Sequence, residues 1–212
     1  MDNRPPIDRI NFEEIGARVK DLLQYLPQYL KNPVAGIKRV PAWDWYTLLI
    51  LQISASAAVS ILTGVATRNL LQIFGGIILG PIYGLIFSFL ISVILYYVFL
   101  FLMDTQLEFR KMYTVVILAG LPASIINILG AVLWPVSFIA LAGFSWLLIL
   151  GISENFLIDR KRVSKLVVPL VIISSLFIFF SVIKTLMSSR VQIQEYTPES
   201  LDQIHKELNE GQ

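Results

Sequence analysis

Five uninterrupted apolar runs decide what this chain can fold into: Trp45–Ala66, Leu70–Met103, 112–132, 136–152 and 166–183. Each can cross a hydrocarbon core of ~30 Å as a helix, the fourth being the shortest. In lipid every backbone polar group must be satisfied within its own segment, and none of the runs alternates as a barrel strand does, so they read as helices. Composition agrees, because only 15% of the 212 residues are charged where a soluble domain has about 25%. Mean hydropathy is +0.70. An ordinary soluble domain is excluded, and the fold class expected is all-α, a polytopic membrane bundle of five transmembrane helices.

Polar segments flank the bundle. In "NFEEIGARVKDLLQYL" the residues Phe12, Ile15, Val19, Leu22 and Leu26 recur three or four apart and share one helical face, beside Arg18 and Lys20. This is an N-terminal amphipathic helix, which either lies on a membrane surface or packs against the bundle or a partner. Pro27, Pro33 and Pro41 are expected to interrupt the connector that follows. At the other end "TPESLDQIHKEL" carries an N-cap at Thr197 and Pro198 behind it, the signature of a short acidic tail helix. The domain reading is an arm over 1–43, a membrane domain over 44–185 and a polar tail over 186–212. Residues 1–44 lack the pattern of a secretory leader, so the first run acts as the insertion signal and stays.

Thirteen of the 17 Lys and Arg residues fall on one side of a five-span topology when the N-terminus is cytoplasmic. The positive-inside rule therefore expects a cytoplasmic N-terminus. Arg160, Lys161, Arg162 and Lys165 crowd one loop on that side, where they set orientation and could also contact anionic lipid or a partner.

The 70–103 run is too long for one crossing. At ~1.5 Å per residue it would reach ~50 Å. Steps of four from Gly76 give Gly80, Gly84, Ser88 and Ser92, and the first run offers Ser56, Ser60 and Gly64. Lipid supplies no hydrophobic drive for association, so close backbone approach over small residues is expected to join the two faces. Pro81 beside Gly75, Gly76 and Gly80 is expected to kink the run near Gly80, leaving 70–78 as an angled or surface-lying piece. Such kinks serve packing or build a solute site.

No Asp, Glu, Lys, Arg or His lies inside the five runs, which argues against a pump or proton-coupled carrier. Asn127 either bonds across helices or lines a path. Glu154 and Asp159 sit beside basic residues, as an ion pair requires. Trp43, Trp45 and Tyr46 fit an interfacial belt. There is no cysteine, the single histidine is His205, and no nucleophile with a base, phosphate loop or metal cluster stands out. Neither an enzyme nor a cofactor is expected, and no nucleic-acid partner.

The stretches "LKNPVAGIKRVPAWDWYTLLI", "GPIYGLIF", "LEFRKMYTVVILAGLP" and "GISENFLIDRKRVSKLVVP" follow one another across the runs. In this order they resemble the Yip family of integral membrane proteins, named in eukaryotes for interaction with Ypt/Rab GTPases. The segments "WDWYTLL" and "ILAGLP" differ from eukaryotic members and look like the prokaryotic branch. The resemblance implies a five-span bundle with a cytoplasmic N-terminus in a prokaryotic inner membrane. The function expected is a non-enzymatic membrane scaffold or organiser that associates with itself or with other membrane proteins through small-residue faces. The alternative is a passive channel or carrier for a small solute.

Overall fold

A computed structural model of the chain describes residues 12–194. The described residues form seven helices: α1 (Phe12–Lys31), α2 (Pro33–Gly36), α3 (Trp45–Ala66), α4 (Leu70–Met103), α5 (Phe109–Gly130), α6 (Val136–Phe156) and α7 (Arg160–Gln194). Four of them, α3 to α6, are long and apolar enough to cross a membrane. The fifth run expected, 166–183, falls in α7, where the side chains at 177, 178, 181 and 182 are outside the described ones. The acidic tail helix expected from Thr197 onward also lies outside the described residues.

The chain divides into two compact units, Met1–Pro169 and Leu170–Gln212. In the first, α3 pairs with α4, α5 pairs with α6, and α5 also touches both α3 and α4. The core gathers where α3 and α5 begin and α4 and α6 end. There α5 is buried without a break from Met112 to Ala119, among Leu48, Leu51, Leu95, Phe99 and Ile152. Val163 and Val167 of α7 are buried in the same unit. In the second unit Ser174 and Ser175 donate their hydroxyls to carbonyls four residues back in α7, so neither of the two needs a partner outside the helix.

The run that contains Pro81 is one helix of 34 residues, so 70–78 is the first part of α4 rather than a separate surface piece. Proline removes one donor and crowds one turn, and within a membrane helix neighbouring small residues and helices accommodate the loss. Pro27 lies inside α1, yet the connector is not one helix: α1 ends at Lys31, the side chain of Asn32 caps the short α2, and residues 37–44 are not helical.

Helix α1 packs on the bundle through its second half. Leu22 and Tyr29 are buried, while Val19, Leu23 and Leu30 are exposed. The buried line thus runs along Leu22 and Tyr29 rather than through Val19, and the side chain of Phe12 is outside those described. The Tyr29 hydroxyl donates to the Leu118 carbonyl at 2.7 Å. That carbonyl has a particular need. In an α-helix it would accept from residue 122, and Pro122 has no N–H to give. Tyr29 replaces the missing donor, and burial with Tyr25 beside it pushes the phenol far above its ordinary value, so the proton stays on.

Removing that hydroxyl leaves a buried carbonyl orphaned, at a cost of about 1–3 kcal/mol. Tyr29→Phe should therefore lower the melting temperature by several degrees. In a Pro122→Ala background, where residue 122 regains an N–H, the same change should cost much less. A double-mutant cycle by thermal melting in one detergent checks this, and additive effects would contradict the assignment.

Candidate functional site

The polar residues of the first unit collect at the end where α3 and α5 begin. Asp44 caps α3 by accepting from the Thr47 N–H at 3.2 Å and from the Thr47 hydroxyl. Its other oxygen pairs with Arg18 of α1, whose guanidinium lies 5.6 Å from the Tyr46 ring. Partial burial raises the Asp44 pKa, but the Thr47 hydroxyl and N–H and the Arg18 charge together outweigh it, and the carboxyl titrates below its ordinary range. One carboxylate thus starts a membrane helix and holds the amphipathic arm to it.

Asn155, near the end of α6, binds the connector ahead of α3. Its side-chain amide donates to the Ile37 carbonyl at 2.7 Å and to the Gly151 carbonyl at 2.8 Å, and its oxygen accepts from the Val40 N–H at 3.1 Å. Its backbone carbonyl accepts from the Lys111 ammonium at 2.7 Å. Gly151 is required beneath it, because a Cβ there would stand 2.7 Å from Val115 and 2.8 Å from Ile37. Asn155 was quoted above only within a longer motif. The signal available was a polar amide at the end of an apolar run, followed by four basic residues.

The aromatic residues expected as a belt divide. Tyr46 and Trp45 are exposed, Trp45 with its ring also against Phe109 and Tyr113, whereas Trp43 is half-buried and meets Tyr25 edge to face at 4.9 Å. Arg160 pairs with Glu154, which the Arg160 hydrogen bond pulls below its ordinary pKa; Lys161, Arg162 and Lys165 are exposed. Asn127 is exposed and lies with Val59, Thr63, Ser124 and Ser137 around a cavity of about 200 Å³ at the opposite end of the unit. No group of three or more metal-ligating side chains occurs among the described residues.

The small residues of α3 and α4 meet in antiparallel register. A Cβ on Gly76 would lie 2.8 Å from the Ser60 Cβ. On Gly80 it would meet Ser60 and lie 3.4 Å from the Ser56 carbonyl, and on Gly84 it would meet Ser56 and lie 3.0 Å from the Gln52 amide. Gly64 faces Ile73, with a backbone nitrogen 2.9 Å from its missing Cβ. Further along the expected face the carbonyl of Ser88 accepts the hydroxyl of buried Ser92 within α4.

These distances rank the glycines. At Gly84 the Ser56 hydroxyl and the Gln52 amide can turn aside, leaving the Ser56 Cβ at 3.0 Å, whereas at Gly64 the Ile73 backbone nitrogen stands at 2.9 Å and cannot move. Gly64→Ala should cost about 1–3 kcal/mol through overpacking, and Gly84→Ala less. Gly75 and Gly120 have nothing within 4 Å of an added Cβ, so alanine there should leave the melting temperature unchanged or raise it through helix propensity. Melting curves of the four variants give the order directly.

Residues 28–183 match the Yip1 domain. No curated protein and no solved structure matches the chain. With most of its length covered, including all four candidate membrane spans, this multi-pass membrane protein belongs to the Yip1 domain family.

Proposed function

We propose that the chain is a non-enzymatic scaffold or organiser in the membrane, associating with itself or with other membrane proteins. The Yip1 family is generally non-enzymatic. The observation that carries the reading is a closed centre. One cavity reaches α5 at Arg110–Thr114 and the other at Ser124–Gly130. Between them every α5 residue from Val115 to Ala119 is buried, about 7 Å of packed helix at ~1.5 Å per residue. A solute crossing this unit would have to displace that segment. The rival reading, a passive channel or carrier for a small solute, draws on the opposite-end cavity, whose Thr63, Ser124, Asn127 and Ser137 offer neutral hydrogen-bonding groups.

The seam of Ser56, Ser60, Gly64, Gly76, Gly80, Gly84 and Ser88 has a packing role in this reading, which its close approaches support. The arm is 1–43, the membrane domain 44–185 and the tail 186–212, with 166–183 as a fifth span. The charge bias supports a cytoplasmic N-terminus, and the likeness of "WDWYTLL" and "ILAGLP" to the prokaryotic branch supports a prokaryotic inner membrane. Arg160, Lys161, Arg162 and Lys165 then face the cytoplasm and meet anionic lipid or a partner, besides the surrounding bilayer.

A reporter active only in the cytoplasm should light when fused at Met1 and stay dark at Gln212. A bright C-terminal fusion would mean an even number of spans. For the function itself, the purified protein in liposomes should pass neutral solutes such as glycerol and urea no faster than empty liposomes, while quantitative mass spectrometry of native-membrane pull-downs recovers a stoichiometric membrane partner or a second copy. Flux above background, abolished by a bulky residue at Asn127, would transfer the assignment to the channel.

A further inference from the structure

We propose that the cavity between the connector ahead of α3 and the first turn of α5 binds a phosphate ester, presented by an anionic phospholipid headgroup or by a soluble phosphate. The cavity measures about 210 Å³, with Val40, Pro41 and Trp43 on one side and Glu108, Arg110 and Lys111 on the other. That is below the ~300–1,000 Å³ of drug-sized sites and suits a headgroup fragment. This site is separate from the basic turn of α7 and rests only on the bundle lying in a membrane.

The charge at this cavity is incompletely answered. The Lys111 ammonium is partly buried, and its described partners are neutral, the Asn155 carbonyl at 2.7 Å and the Phe156 ring at 5.3 Å. A half-buried cation without a carboxylate is poorly compensated, and an anion entering the cavity would supply what is missing. Arg110 does have a carboxylate, Glu108 at 3.2 Å, but both side chains are well exposed. Such pairs are worth little and exchange readily for a phosphate, which a guanidinium grips with two parallel bonds. The first turn of α5 has no side-chain cap, so its positive end also faces no fixed partner. Trp43 and the apolar connector residues supply a wall of the kind that lies at headgroup depth, where a lipid's glycerol and first methylenes would rest.

The test uses the full chain in phosphatidylcholine nanodiscs, with dioctanoyl phosphatidylglycerol titrated in and retention read by native mass spectrometry. Arg110→Gln should weaken binding about fivefold, as expected for one surface cation. Glu108→Gln should strengthen it, because the competing carboxylate is gone. Both side chains are exposed and, among the described residues, pair with each other, so these variants fold. Lys111→Arg should retain the lipid. Replacing Arg160, Lys161, Arg162 and Lys165 by Gln removes any lipid held at that turn and should leave the fivefold effect of Arg110→Gln in place. Glycerol 3-phosphate is the soluble arm: competition at concentrations matching the lipid assigns the site to soluble phosphate, and no competition assigns it to the membrane. Unchanged retention in both Arg110→Gln and Glu108→Gln, or loss only in the α7 variant, would overturn the proposal.

Discussion

A single carbonyl left without a donor organises much of the first unit. Pro122 gives α5 a fixed backbone angle in its middle and strips the Leu118 carbonyl of its helical partner. In lipid an unanswered carbonyl is costly, and this one lies in the most deeply buried stretch of the molecule. The donor comes from Tyr29, on a helix outside the four candidate spans. The defect therefore ties a peripheral element to the core. Tyr29 in turn stacks on Tyr25, and its ring fills the space that a side chain at Gly36 would need. The arm and the short α2 are set by the same contact.

Asn155 performs the second half of this closure. The connector from Ile37 to Val40 follows α2 without helical hydrogen bonds of its own beyond the turn, so its polar groups need partners from elsewhere. One amide answers a carbonyl and an N–H of the connector and a carbonyl of α6. With Ile37 fully buried against Gly151, the connector becomes part of the core. Asp44 then starts α3 from a fixed position.

The apolar runs made four candidate spans legible, and steps of four named the glycines that lie against α3. Both signals are periodic and local. What stayed hidden depends on partners distant in sequence. The single helices that run through Pro27 and Pro81 were hidden because the cost of a proline is read locally, whereas its tolerance comes from the helix on either side and from neighbours. Tyr29 looked like an ordinary member of an amphipathic stretch, since the residue that makes it necessary lies 93 positions on by subtraction. Asn155 was unremarked because an amide at a helix end has many uses. The two cavities involve residues from separated segments and had no sequence signature.

Two kinds of packing therefore coexist in the first unit. The α3–α4 seam holds by backbone proximity over small side chains, a mode that works in lipid because it needs only van der Waals contact. The end where α5 begins holds by large interlocking side chains and by hydrogen bonds from elements outside the candidate spans, which is closer to the way a soluble core is built. At the opposite end Thr63, Ser124, Asn127 and Ser137 surround open space. One end is thus fixed by its own residues, and the other retains hydrogen-bonding capacity toward whatever enters. That asymmetry is what a scaffold requires, a rigid platform together with a surface still able to recognise something else. A conduit would instead need continuity through the stretch of α5 that is packed most tightly.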